Sequence, residues 1–128
     1  MLDTNAVITF GSRPIPPNLV DPARGERAVT TESVIEEING LVDAGRVSKP
    51  ARADTITVVQ DLYDPAISAA LEATLVKVKG KAADVQIGTT VVVGGYAFVT
   101  GDKEFAAVLK SRGIDVRIAP ATFDEDST

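Results

Sequence analysis

Four acidic positions in this chain stand where an open α/β sheet gathers its chemistry, at or just beyond strand C-terminal ends and on the helices bordering that crevice. Asp3 closes the first apolar run, within Leu2-Asp3-Thr4-Asn5, and Asp102 follows Ala97-Phe98-Val99-Thr100, the strongest strand pattern of the second half. Asp84 opens the helix pattern that leads into that strand, and the Glu36-Glu37 pair supplies the fourth position. The sequence has no His and no Cys. Ser-His-Asp and Cys-His nucleophilic catalysis, thiol redox chemistry and zinc sites of the Cys and His kinds are therefore excluded. Any metal chemistry here is carboxylate chemistry.

Geometry separates the two glutamates, because each step along a helix turns the side chain by about 100°. Val34, Ile35, Ile38, Leu41 and Val42 recur at helical spacing and centre near Ile38. Glu36 then points away from the apolar face, whereas Glu37 lies at its border beside Leu41. Ser33 followed three residues later by Glu36 reads as a capping box, which gives Glu36 a structural role of its own.

The elements that must position these acids alternate short apolar runs with helix-like segments, the pattern of a parallel sheet with helices on both faces. Strands are expected at residues 1–3, 28–30, 97–100 and 115–118. Helices are expected at residues 5–10 and 33–42. Residues 11–25 form a loop rich in proline and glycine, long enough to be either mobile or functional. Residues 55–59 have strand propensity, but Pro65 at a helix start followed by residues 66–76 favours a two-helix hairpin over 54–79. Residues 83–93 read as a helix despite a β-branched Thr-Thr-Val-Val-Val run, and Gly94-Gly95 stops it.

The length of 128 residues fits one domain, and a 45% hydrophobic content suffices for a packed core. The expected domain spans residues 1–122, with 123–128 as a frayed acidic tail. With 13 Lys+Arg against 18 Asp+Glu the net charge is -5, so a uniformly basic nucleic-acid binder is excluded. No apolar stretch approaches a membrane span and no basic region leads into an apolar one, so a soluble cytoplasmic protein with no membrane partner is expected. The Gly-x-Gly-x-x-Gly spacing and the Gly-Lys-Ser or Gly-Lys-Thr of a phosphate loop are both missing. A receiver-type domain needs adjacent acids after its first strand, and Asp3 stands alone.

Taken in order, Met1-Leu2-Asp3-Thr4-Asn5, Thr30-Thr31-Glu32-Ser33-Val34-Ile35-Glu36-Glu37-Ile38, Ala83-Asp84-Val85-Gln86-Ile87 and Val99-Thr100-Gly101-Asp102-Lys103-Glu104-Phe105 resemble the motifs of the PIN-domain family of metal-dependent nucleases. The resemblance implies a three-layer α/β/α fold with a central parallel sheet. It puts the family's acidic roles on Asp3, Glu37, Asp84 and Asp102, with Thr100 as a polar helper. Glu104, two residues from Asp102, is the alternative acid. The third motif departs from the family's Ala-rich helix by continuing as Gly88-Thr89-Thr90-Val91-Val92-Val93, and residues 45–81 match no family motif.

Such a cluster is physically intelligible, since crowded carboxylates repel one another unless a hard divalent cation neutralises them, and oxygen-only ligands suit Mg2+ or Mn2+. The implied activity is endonucleolytic hydrolysis of RNA, with Asp3, Asp84 and Asp102 as metal ligands and Glu37 as a ligand or orienter of the attacking water. Asn5 is a further candidate to bind water or phosphate. An acidic protein that cuts a polyanion needs local cations. The candidates are Lys103 and Arg13, together with Lys77, Lys79, Lys81, Lys110 and Arg24. Many small family members are the toxins of VapC-like toxin–antitoxin pairs, which implies an antitoxin protein and a homodimer as partners. Residues 31–38 also resemble the second motif of PIN domains in archaeal ribosomal-RNA maturation, and a catalytically silent RNA- or protein-binding domain is the remaining alternative.

Overall fold

The computed structural model describes residues 1–50, 53–75 and 81–119. Among them the chain is mixed α/β, with helices α1 (Thr4–Phe10), α2 (Glu32–Asp43), α3 (Pro65–Thr74), α4 (Lys81–Gly94) and α5 (Lys103–Lys110), and strands β1 (Val29–Thr31), β2 (Thr57–Val59), β3 (Phe98–Thr100) and β4 (Val116–Ile118). The expected tail at 123–128, Lys77 and Lys79 lie outside the described residues. No helix among the described residues is long and apolar enough to cross a membrane.

The strands form two parallel pairs. Val29, Thr30 and Thr31 of β1 face Thr57, Val58 and Val59 of β2, and Phe98, Val99 and Thr100 of β3 face Val116, Arg117 and Ile118 of β4. The first residues of the chain join the two pairs. Leu2 N–H donates to Val29 O at 2.7 Å, while Val99 N–H donates to Met1 O at 2.8 Å and Asp3 N–H to Val99 O at 3.0 Å. Met1 to Asp3 thus run between β1 and β3, with Leu2 bridged in parallel to Val99. Because strands of a parallel sheet end together at one edge, this ladder carries Asp3, Thr31 and Thr100 to the same side.

Two sequence expectations are corrected by this arrangement. Residues 57–59 are strand β2 and not part of a two-helix hairpin, since Thr57 N–H donates to Ala28 O and the segment completes a pair with β1. Strand propensity and tertiary pairing prevail there over the helix signal, which belongs only to α3 behind Pro65. The start of α2 is also different. Thr31 is the N-cap, its Oγ1 accepting from Val34 N–H at 3.2 Å, and Ser33 lies inside the first turn. Ser33 instead binds Asp61, its N–H donating to Oδ2 at 3.1 Å and its hydroxyl to Oδ1 at 2.7 Å. The capping box expected of Ser33 and Glu36 therefore does not form.

The β-branched run of α4 is helical because it is buried on more than one face. Ile87, Gly88, Thr89, Thr90 and Val91 are all buried. Thr89 and Thr90 hydroxyls donate back to Val85 O at 2.7 Å and Gln86 O at 3.1 Å, so neither is left unsatisfied in the core. At Gly88 a Cβ would come within 3.0 Å of Leu71 Cδ1, so the glycine lets α4 approach α3 closely. Around this approach the core gathers Leu2, Val7, Ile38, Leu71, Val91, Phe98, Val99, Phe105 and Leu109. Phe98 and Phe105 meet edge to face at 5.3 Å.

The proline- and glycine-rich segment 11–25 is tied down. Leu19 and Val20 are buried, Asp21 caps a 3-10 turn at Pro22–Arg24, and Arg117 donates to Leu19 O at 2.8 Å. Arg117 also forms an ion pair with Glu26 at 2.7 Å, which holds the segment against β4.

Candidate metal centre

Each aspartate predicted at the site reaches it by a helix start. Asp3 is the N-cap of α1, with its side chain accepting from Thr4 N–H at 2.7 Å. Asp102 is the N-cap of α5 and accepts from Phe105 N–H at 3.0 Å. Asp84 sits in the first turn of α4, where a carboxylate complements the helix dipole, and its Oδ2 is buried. Three separate helix N-termini thus bring three carboxylates to the same sheet edge.

They border one open cleft of about 640 Å³. Asp3, Asp84, Asp102, Glu36, Glu37 and Asn5 all line it, together with Thr4, Ser33 and Gln86, over an apolar floor that includes Val34, Leu41 and Ile87. Glu37 is exposed, and its Oε1 accepts from the Thr4 hydroxyl at 2.6 Å, which ties α2 to the start of α1. Glu36 is exposed, as its position on the helix predicts, and it lines the rim of the cleft as well.

Thr100 lies beneath the cleft and is fully buried. Its hydroxyl donates to Asp3 Oδ2 at 2.7 Å and accepts from Asp102 N–H at 3.0 Å. It is a positioning residue that sets the two aspartates relative to each other. Glu104 and Lys103 are exposed in the first turn of α5 and are not among the residues lining the cleft. Arg13 lines a different cleft, at the far end of α1. Lys81 begins α4, Lys110 is the exposed last residue of α5, and Arg24 is exposed in the 3-10 turn.

Burial pushes the Asp3 carboxyl up to about 6 from an ordinary 3.8. The hydrogen bonds from Thr100 and Thr4 oppose that rise, and the nearby carboxylates of Asp84 and Asp102 add to it. Asp3 is thus a carboxylate held in its charged form at a cost, which a cation would relieve. The donor set is all oxygen and suits a hard cation in its chemistry. Among the described residues, no group of three or more acids stands close enough to serve as a metal-ligand cluster as it is.

Three neighbours escape the sequence reading: Thr4, Gln86 and Asp61. Thr4 and Gln86 stand one and two residues from Asp3 and Asp84 inside the quoted motifs, so closeness in sequence to those acids is the usable signal. Asp61 has none, because its partner Ser33 is 28 residues away and depends on the β1–β2 pairing. No protein-family model, no curated protein and no solved structure matches the chain.

Proposed function

We propose that this chain is a PIN-like, three-layer α/β/α protein that hydrolyses RNA phosphodiesters endonucleolytically with Mg2+ or Mn2+. The observation that carries the reading is the convergence of Asp3, Asp84 and Asp102 from three helix starts on one cleft, with Glu37 at its rim. A divalent cation bound there would polarise a phosphodiester and activate a water. Asp3, Asp84 and Asp102 would hold it, directly or through water. Thr100 orients Asp3 and Asp102, and the Glu37 carboxylate, steadied by Thr4, is the group available to accept a proton from the attacking water. Asn5, exposed at the mouth, is available to hydrogen-bond phosphate.

The finer form of the reading is a toxin of a VapC-like pair, cytoplasmic, homodimeric and neutralised by an antitoxin protein. Its support is the motif order. The test is cleavage of a mixed RNA substrate with added Mg2+ or Mn2+. Asp3→Asn and Asp84→Asn are each expected to slow it by at least about 10²-fold, roughly 2.7 kcal/mol of barrier. Normal cleavage by both variants overturns the assignment.

A second reading is favoured by the capping bonds already made by Asp3 and Asp102 and by the lack of a ready ligand cluster among the described residues. In it the domain binds RNA or protein and cuts nothing. RNA that stays intact in Mn2+, with no Mn2+ binding by calorimetry, selects that reading over the first.

A further inference from the structure

A second cleft, of about 690 Å³, lies at the opposite end of α1 and α2 from the acids. Its charged residues are all cations, Arg13, Arg46 and Lys49, and Thr9, Ser12 and Ser48 add hydroxyls. In a chain of net charge -5 this is a local reversal of sign. None of the three cations has a carboxylate partner among the described residues.

The cleft walls are set by backbone geometry. Helix α2 ends in a left-handed glycine, Gly45 at φ 72°, whose N–H donates to Val42 O at 3.0 Å while Arg46 N–H donates to Leu41 O at 2.9 Å. This Schellman arrangement fixes where Arg46 leaves the helix. On the other wall Pro50 sits against Gly11, so close that a Cβ there would fall 2.5 Å from Pro50 Cβ. Residues 45–50 are thereby seated on the end of α1, facing Ser12 and Arg13.

We infer that this basic cleft binds the phosphodiester backbone of single-stranded RNA alongside the acidic cleft, a step that rests on the ribonuclease reading above. The two clefts share the same helices. Thr4 and Asn5 line the acidic one and Ile8 and Thr9 the basic one, a single turn or about 6 Å apart on α1. On α2 the same handover runs from Leu41 to Gly45. Cations and hydroxyls are the groups that hold phosphate, and no aromatic ring lines the cleft for a base to stack on.

The experiment measures binding of a fluorescent single-stranded RNA to the full chain in EDTA, where cleavage plays no part, across a salt series. The comparison is with Arg13→Ala/Arg46→Ala/Lys49→Ala, and with the conservative Arg13→Lys/Arg46→Lys as the control for folding, both verified by circular dichroism. The triple variant is expected to bind at least about tenfold more weakly, with a salt slope shallower by about 0.7 for each phosphate no longer neutralised. The lysine variant is expected to stay close to wild type. Unchanged affinity and slope in the triple variant, absence of RNA binding by the wild type, or equal competition by polyglutamate would each overturn the proposal. The nuclease reading is scored separately: cleavage in Mn2+ that is lost in Asp3→Asn while the triple variant binds normally sinks the cleft alone. Binding lost in the triple variant of a protein that never cleaves keeps the cleft and removes the nuclease.

Discussion

The Thr100 hydroxyl donates to Asp3 Oδ2 at 2.7 Å across 97 residues of sequence, from the end of β3 to the N-cap of α1. The same oxygen accepts from Asp102 N–H, so one buried hydroxyl fixes two of the acids through its donor and its acceptor. Thr100→Val keeps the shape and removes both bonds. We expect a loss of about 1–3 kcal/mol in urea unfolding, because Asp102 N–H and Asp3 lose a buried partner. The Asp3 carboxyl should also titrate above the wild-type value of about 6, since the bond from Thr100 is the larger of the two that hold it down. A carboxyl carbon NMR titration that leaves Asp3 in place would contradict this role.

Asp3 also makes stability depend on pH in a direction opposite to most carboxylates. Its folded value of about 6 exceeds the ordinary 3.8, so between those limits the folded chain binds more protons than the unfolded one. The Asp3 contribution is therefore fully present below about 3.8, is lost as pH rises toward about 6, and is flat above it. The span corresponds to roughly 2–3 kcal/mol. In metal-free buffer Asp3→Asn is expected to be more stable than wild type at pH 7 by that order and similar to it at pH 4. Subtracting the two proteins removes the opposite, ordinary behaviour of Glu26, whose carboxyl Arg117 holds down at about 2. A difference that does not change between pH 4 and pH 7 rules the account out.

Much of this site is legible in the sequence because its members are the residues that start helices. An acid before an apolar helix pattern is visible without a structure, and Asp3, Asp84 and Asp102 all stand in that position. What is not legible comes from pairing across distance. Strand β2 exists because Thr57 to Val59 complete a ladder with β1, and no local pattern announces that partner. The N-cap of α2 is Thr31 and not Ser33 for the same reason, because β2 delivers Asp61 to claim the Ser33 hydroxyl. The helical state of Thr89 to Val93 follows from the pattern around it, against its own β-branched propensity. Its physical cause, the burial of Thr89, Thr90 and Val91 in the core with the threonine hydroxyls satisfied by Val85 O and Gln86 O, is a property of the packed state.

Cation binding should report on the acids independently of any cleavage. A site that binds only the folded chain raises its stability by about 2.7 kcal/mol when the free cation reaches a hundred times its dissociation constant. We expect Mn2+ to raise the thermal midpoint of the wild type and EDTA to reverse it. Asp84→Asn should remove most of the rise, because Asp84 carries one of the three helix-start carboxylates of the cleft. Calcium should act less strongly if the centre favours the smaller ion. A midpoint indifferent to Mn2+ in the wild type counts against a metal centre.

Asp61 tests whether the start of α2 controls the rim. Its two oxygens accept from Ser33 N–H and Ser33 Oγ, at the first turn of the helix that carries Glu37. Asp61→Ala strips both bonds and is expected to cost about 1–2 kcal/mol, in the range of a lost helix cap. Asp61→Asn retains an acceptor and should recover part of it. Hydrogen exchange localised to the first turn of α2 is the accompanying signature, and unaltered protection there would separate Asp61 from the rim.

Two glycines on neighbouring helices should respond to the same substitution with opposite signs. Gly40 lies inside α2 with nothing within 4 Å of where an added methyl would sit, so Gly40→Ala gains helix propensity freely and is expected to stabilise by about 0.5–1 kcal/mol. Gly11 has an ordinary helical backbone, φ −71°, and gains nothing from its flexibility there. Its difficulty is space, since a Cβ would fall 2.5 Å from Pro50 Cβ and 2.8 Å from Val7 O. A pyrrolidine ring cannot swing aside and a backbone carbonyl cannot retreat without disturbing α1. Gly11→Ala is therefore expected to cost about 1–3 kcal/mol in urea unfolding, the usual penalty of overpacking. It should also displace the 45–50 wall and weaken RNA binding in EDTA, whereas Gly40→Ala leaves that binding unchanged. Equal effects of the two alanines on stability would show that the Gly11–Pro50 packing does not set the wall.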